Sequence, residues 1–298
     1  MNPYVLIIIC AFTLAGQAIC FKIFSSEYRR GPASHFLHNI FFLSLVVIVL
    51  ILIEGGLRPA ENPATYIYSL LFGIFWVISI MFFTLGMGMG PTGIVTLFFT
   101  FGLIVPIIVD LTVLGTPIRL FQVVGLILLL LSFYLGNRPL AGEDKTMSIR
   151  FIIVCVLSFV FNGLIMATAK LHQGTMPGID VDAFLIYGFI LTVLISLVCF
   201  VFFHIKQTRK EKISYSYMFK SPKYYIVVAG SSLTTALGNL LMVIIAGLVP
   251  AAIQFPLVSG GTTIITAVLS ILLFQEKLTK RMAIVFIIGI AALAIINL

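Results

Sequence analysis

Of the amide side chains that lie inside long apolar segments of this chain, four are candidates for a functional site. They are Gln17, Asn162, Asn239 and Gln254. A polar group at membrane depth is costly unless it faces other protein or water. Each amide can therefore hydrogen-bond a neighbouring helix, or it can face an internal cavity and bind a polar solute. The sequence leaves both interpretations open.

Charged and titratable groups near these segments are few. Lys22 and Lys170 end apolar segments, Asp110 lies about one turn from the end of another, and His35 and His38 form an H-x-x-H pair. The lysines either snorkel to the interface or attract an anion into a vestibule. Two histidines without further ligands do not predict a metal site. There is no nucleophile elbow, phosphate loop or catalytic carboxylate pair, so we predict neither a cofactor nor an enzyme.

The apolar composition sets the class of protein. Of the 298 residues, 61% are hydrophobic and 9% are charged, and the mean hydropathy is +1.20. Continuous runs of about 20 apolar residues recur, and each can cross a hydrocarbon core of roughly 30 Å as a helix. The net charge of +8 comes from short loops, which does not indicate nucleic-acid binding. We predict an all-α membrane protein whose first segment is a retained span.

Charged or Gly/Pro-rich breaks divide the chain into ten predicted transmembrane helices. Their approximate ranges are 4–24, 35–54, 63–86, 91–114, 118–137, 149–171, 181–204, 223–247, 250–274 and 280–298. The polar segment 136–150 separates a first five-helix repeat, 1–140, from a second, 149–298.

The two halves are weakly similar to each other. Lys22 aligns with Lys170, and the proline turn in 89–99 lies opposite the one in 248–258. Because five is an odd number, the second half would enter the membrane from the opposite side. A 5+5 inverted repeat is typical of secondary transporters, whose halves exchange roles during alternating access.

The basic residues predict an orientation. Of the 18 Lys and Arg residues, all but Arg58, Arg119 and Lys170 flank odd-numbered connections. The positive-inside rule then places those connections in the cytoplasm and both termini outside the cell membrane.

The segment 85–99, LGMGMGPTGIVTLFF, interrupts the apolar sequence. Gly86 and Gly90 form a small-xxx-small pair, and Pro91 suits the first turn of a helix. We predict a tight turn between helices 3 and 4, and a hinge is the functional alternative. This P-T-G-I turn before an aromatic helix resembles the small multidrug resistance proteins.

Two further segments extend the resemblance. MNPY and Lys22 look like that family's opening, and VSGGTTIITAVLSILLFQEKL at 258–278 resembles its W-S-G-x-G helix and G-x-x-L turn. A chain built from two such units, each with one extra helix, resembles the EamA type of the drug/metabolite transporter superfamily over nearly its whole length.

The resemblance identifies one position at which this chain departs from the family, namely the position in helix 1 that binds the coupling ion. In the smaller proteins a glutamate in helix 1 binds protons and cations competitively. Counting back from the shared lysine, that position is Leu14 in the first half and Asn162 in the second. Neither side chain titrates, so carboxylate-centred exchange is not expected. Asn162 becomes the leading candidate, and Gln17 is the next.

The same resemblance implies a central cavity bounded by helices 1, 3, 4, 6, 8 and 9. Asn239 and Gln254 would then line it. Trp76 falls where the smaller family has a substrate-contacting tyrosine. Phe98 and Phe99 lie on either side of the position at which that family has a tryptophan in its third helix. An aromatic wall suits flat or cationic solutes. For all three aromatic residues, packing is the alternative.

The sequence as a whole predicts a secondary transporter, expected to export a small organic metabolite or drug-like solute. One alternative is a multidrug cation efflux pump in which Asp110 supplies the charge, so that replacing it by Asn abolishes transport; in the main prediction the change does little. A flippase for lipid-linked substrates and a membrane scaffold are further alternatives. The partners are a small-molecule substrate and membrane lipids, and coupling to protons or a counter-substrate and a monomer or homodimer are left open.

Overall fold

The computed structural model describes residues 2–87, 89, 98–99, 101–136, 148–208, 214–274, 287–289, 291–292 and 295. Within this part of the chain the structure is helical with connecting turns, and no strand occurs. Six of its helices are long and apolar enough to cross a membrane. The prediction of an all-helical, multi-pass membrane protein is confirmed.

The helices follow the predicted order. They are α1 (Pro3–Glu27), α2 (Pro32–Glu54), α3 (Ala64–Met87), α4 (Ile104–Thr112), α5 (Leu120–Gly136), α6 (Ile149–Thr175), α7 (Val181–Thr208), α8 (Ser216–Phe219), α9 (Pro222–Ala246) and α10 (Ala251–Phe274). The short α8 was not predicted. Helices 8 and 9 of the prediction correspond to α9 and α10, whereas most of the predicted tenth helix lies outside the described residues.

Local signals explain several helix ends. The Asn2 side chain accepts a hydrogen bond of 3.0 Å from the Tyr4 amide, and Pro3 occupies the first turn of α1. Prolines also open α2 and α9, where no amide donor is needed. Gly55 ends α2 with a φ of 73°, a left-handed conformation that glycine adopts without strain.

The fourth predicted helix, 91–114, differs from the structure. Residues 98–99 and 101 are helical as predicted, but Gly102 and Leu103 form a turn, and α4 begins at Ile104. The Asn162 side chain of α6 donates to the Phe99 carbonyl just before this turn, at 2.8 Å. A contact with another helix therefore supports the backbone where the helical pattern is interrupted. Residues 90–97, which contain most of the predicted proline turn, lie outside the described residues.

Helices of the first half pack mainly on helices of the second. α1 packs on α9, α3 packs on α6, and α2 packs on α7. A central apolar cluster joins α2, α3 and α7, and its largest side chains include Phe42, Phe72, Trp76, Phe184 and Phe189. The core therefore lies between the halves.

The bundle has two ends, which we name by residues that lie there. The Asp110 end contains the connections 55–63, 113–119, 176–180 and 247–250, and the His35 end contains 28–31 and 214–221. α1 begins at the Asp110 end, because Ile7 clusters with Ile245. α6 ends there, because Lys170 contacts Ala246. α1 and α6 therefore run in opposite directions.

Gly163 provides a test of the contact between α4 and α6. An added methyl group would overlap the Val105 side chain and lie 2.8 Å from the Gly102 carbonyl oxygen. We expect Gly163→Ala to lower the free energy of unfolding by about 1–3 kcal/mol, as overpacking generally does. Thermal and denaturant unfolding of the purified protein in detergent would measure this loss.

Gly174→Ala is the matched control on α6. Its methyl group would meet only the end of the Leu114 side chain, which can rotate away. The loss should therefore be clearly smaller than at Gly163. Equal losses at both positions would contradict the close contact between α4 and α6.

Candidate functional site

A buried ion pair lies at the Asp110 end of the bundle. Lys170 Nζ is 3.7 Å from Asp110 Oδ2, and the two residues are only 6% and 3% exposed. The ammonium group also donates to the carbonyls of Ala246, at 3.0 Å, and Val249, at 2.9 Å. Carbonyls at a helix C-terminus lack intrahelical partners and attract cations. Lys170 thus caps the end of α9.

Asp110 performs the complementary role at the start of the next helix. Its Oδ2 atom accepts a hydrogen bond of 2.6 Å from the amide of Ala251, the first residue of α10. Its Oδ1 atom accepts one of 3.0 Å from the Thr116 hydroxyl. The pair therefore ties α4 and α6 to the turn between α9 and α10.

This geometry changes the expectation for Lys170. Lys170 does not snorkel to an interface, because its ammonium group is held inside the protein. The expectation that replacing Asp110 does little concerns transport and stays a prediction. For stability, we expect a cost, since the replacement would leave a buried cation without its counter-charge. Lys22, by contrast, is half-buried in the last turns of α1.

Three of the predicted site residues donate hydrogen bonds to groups of α9. Gln17 donates to the Thr235 hydroxyl at 2.6 Å, and Asn239 donates to the Thr235 carbonyl at 2.9 Å. Gln254 of α10 donates to the Met242 carbonyl of α9 at 2.7 Å. Thr235 was missed, although it precedes Asn239 by one helical turn on the same face.

Gln254 has one polar atom left over. The residue is fully buried, and its Oε1 atom has no hydrogen-bond partner among the described residues. Buried acceptors without a partner are rare in native structures and call for an explanation. A solute that donates a hydrogen bond would satisfy this atom.

Asn162 lies away from that group. It is 5% exposed, and its bond to the Phe99 carbonyl is the interhelical contact that the sequence left open as an alternative. Leu14, its counterpart in the first half, packs against Gly238 of α9. The two halves therefore use this position for an amide bond in one case and an apolar contact in the other.

The aromatic candidates pack against other aromatic rings. Trp76 is buried, with its ring centroid 6.0 Å from Phe42 and 6.1 Å from Phe189. Phe99 lies 4.5 Å from Phe83. Phe98 packs beside the small cluster of Phe151 and Cys155, which Phe83 also contacts. These contacts account for the three residues as packing groups, and a role in solute binding stays a prediction.

A second polar link closes the Asp110 end. Asp180 accepts hydrogen bonds from the amides of Glu61 and Asn62 at 2.8 and 2.9 Å, and from the Thr65 hydroxyl at 2.8 Å. Burial raises the pKa of Asp180, but these hydrogen bonds outweigh that effect and hold its pKa below the ordinary value. Asp180 thereby joins the connection before α3 to the one before α7.

Comparison with known proteins adds a fold and no activity. No protein-family model matches the chain, and no curated protein matches it. A solved structure described only as "Crystal structure of protein" has a TM-score of 0.73, with coverage of 97% of this chain and 94% of that chain. The sequence identity is 13%, so the similarity shows a shared fold alone.

The buried pair predicts strong thermodynamic coupling between Asp110 and Lys170. Asp110→Asn or Lys170→Met alone should lower the free energy of unfolding by about 3–5 kcal/mol, because each leaves a buried polar or charged group uncompensated. The double variant should lose clearly less than the sum. Unfolding of all four proteins in one detergent gives the coupling energy.

The exposed pair of Glu27 and Lys223 is the matched control. Both side chains are about half exposed, so Glu27→Gln should cost less than about 1 kcal/mol. Additive losses for Asp110 and Lys170 would show that the two charges do not stabilise each other.

Proposed function

We propose that the protein is a ten-helix secondary transporter of the drug/metabolite type, built from two inverted five-helix halves in the cell membrane. The observation that carries this proposal is that the contacts between the halves occur in matched pairs. α3 packs on α6 just as α1 packs on α9, and α4 packs on α6 just as α10 packs on α1. If α1, α2, α3 and α4 are the counterparts of α6, α7, α9 and α10, then the two members of each pair are equivalent contacts, one in each half.

Further matches support this arrangement. α3 contacts α7 as α9 contacts α2, and α2 and α7 pack on each other. α1 and α6 run in opposite directions, as an inverted repeat requires. Aligning the two proline turns also pairs Gly102 with Gly261. Gly102 lies against Gly163 of α6, and Gly261 lies against Ala11 of α1.

The proposed binding region lies between the halves. Gln17, Thr235 and Asn239 offer hydrogen-bonding groups at the contact of α1 with α9, and Gln254 offers a free buried acceptor. Substrate would bind there, and rocking of one half against the other would expose it to alternate sides. The chemistry favours a neutral, zwitterionic or anionic solute that donates hydrogen bonds.

The multidrug cation alternative is less well supported. A cation would need the carboxylate of Asp110, which is already occupied by Lys170, the Ala251 amide and the Thr116 hydroxyl. The basic residues support placing the His35 end in the cytoplasm, with export toward the Asp110 end.

The first test asks whether water reaches the binding region. In a background without the native cysteines, single cysteines replace Gln17 or Asn239, with Leu233→Cys as the control on α9. Leu233 is 49% exposed on the bundle exterior. The first two should react with a membrane-impermeant methanethiosulfonate from at least one side, whereas Leu233→Cys should stay protected in lipid. Protection of all three positions would favour a scaffold.

The second test identifies the solute class. A thermal-shift screen would compare cations, amino acids, nucleobases and sugars at two pH values. A solute at about 100 times its Kd should raise the free energy of unfolding by about 2.7 kcal/mol. We expect stabilisation by a neutral, zwitterionic or anionic class, lost in Gln254→Leu and Asn239→Leu and retained in Leu233→Ala. Stabilisation by quaternary cations that Asp110→Asn removes would favour multidrug efflux instead.

A further inference from the structure

Two buried histidines form a cluster at the His35 end that the proposed binding region does not use. His35 and His38 lie in the first two turns of α2 and are 4% and 1% exposed. The Phe24 ring of α1 stacks on His38, with 3.7 Å between ring centroids. The cluster therefore lies where α1 meets α2.

Each imidazole has one hydrogen-bonded nitrogen and one that has no hydrogen-bond partner in the described part of the chain. His38 Nδ1 lies 3.3 Å from the Tyr224 hydroxyl of α9, and His35 Nε2 lies 3.2 Å from the Asn39 amide nitrogen. His35 Nδ1 and His38 Nε2 are buried and have no hydrogen-bond partner among the described residues. Both atoms are inaccessible to solvent in this arrangement.

The described residues around the cluster provide no counter-charge for a protonated ring. Arg29 lies close enough to His35 to repel a positive charge there. Arg30 stacks on the Tyr217 ring near α8. Tyr28 and Tyr224 contribute neutral rings from the α1 end and α9.

Acids and other titratable groups at this end are engaged elsewhere. Glu27 pairs with Lys223 at the surface, and His204 of α7 pairs with Tyr215. In the part of the chain that the structure describes, no carboxylate contacts His35 or His38. A proton on either ring would thus add an uncompensated buried charge beside a guanidinium group.

We propose that His35 and His38 form a proton-binding site that controls opening of the His35 end. The packed arrangement holds both rings neutral. When α7 and α9 move away from α1 and α2, water reaches the rings, and each neutral imidazole takes up one proton from it at its unprotonated nitrogen. The proton returns to water when the end closes. This inference rests on the proposed function, because opening of one end is a step of alternating access.

The sign of the pH effect follows from linkage. The open form binds more protons than the closed form, so lowering the pH favours the open form. An exposed imidazole has an ordinary pKa of about 6.5. Between about pH 8 and about pH 5, one ring protonated only in the open form raises the ratio of open to closed molecules about 30-fold. Protonation of the second ring would increase the ratio further.

The test measures the opening directly in reconstituted protein without added solute. Spin labels at Ser26 of α1 and Ile205 of α7, both exposed at the His35 end, report the distance across it. In double electron–electron resonance, a longer distance should gain population as the pH falls. A second pair at Leu57 and Leu248 should show no such lengthening at the Asp110 end.

Variants decide whether the two histidines cause the response. The pH response should disappear in the double variant His35→Gln/His38→Gln and persist in His204→Gln, the matched control at the same end. Tyr224→Phe keeps both histidines but removes the hydrogen bond that stabilises neutral His38. It should therefore move the midpoint of opening to higher pH, which provides a test if the double variant does not fold.

Several results would overturn this proposal: a distance distribution independent of pH, a response that survives in the double variant, or an unchanged midpoint in Tyr224→Phe. These failures leave the transport proposal intact if cysteines at Gln17 and Asn239 are water-accessible. Protection of those cysteines would reject transport itself, whatever the distances show.

Discussion

Backbone polar groups within an apolar layer need partners inside the protein, and this requirement governs the packing of the bundle. It is most demanding where α9 ends and α10 begins, because the free carbonyls of one helix and the free amide of the next lie close together. Lys170 donates hydrogen bonds to the carbonyls, and Asp110 accepts one from the amide. The opposite charges of the two residues compensate each other. Neither residue could be buried alone at an acceptable cost. One pair from α4 and α6 therefore positions the turn on which α10 depends.

The amide side chains follow the same physical rule. Asn162 supports the carbonyl of Phe99 beside an interrupted helix, and Gln254 supports that of Met242. An amide that donates one bond to a helix still carries an acceptor oxygen. A residue can therefore be both an interhelical contact and a solute contact, so that the two interpretations of these amides are compatible. Gln254 shows this most clearly, because its oxygen is buried without a partner among the described residues.

The two ends of the bundle differ in how completely their polar groups are satisfied. At the Asp110 end, the Asp110–Lys170 pair and Asp180 have close partners of opposite charge or complementary polarity. At the His35 end, two imidazoles each keep a buried nitrogen without one among the described residues. Opening of the His35 end would let water form hydrogen bonds with both of these nitrogens. In the proposed transport cycle, this difference in titratable groups gives opening of the His35 end a physical basis.

The sequence by itself determined the class of fold. Long apolar runs predicted membrane-spanning helices, and prolines and glycines located several of their ends, because these signals act within a few residues of the chain. Four amides were also identified, since polar side chains stand out in apolar surroundings. The partners of these groups were decided by tertiary structure alone. Asn162 and Phe99 are 63 positions apart, and Gln17 and Thr235 are 218 apart. Such contacts depend on how helices are rotated and stacked, and a pattern of local preferences carries no information about that geometry.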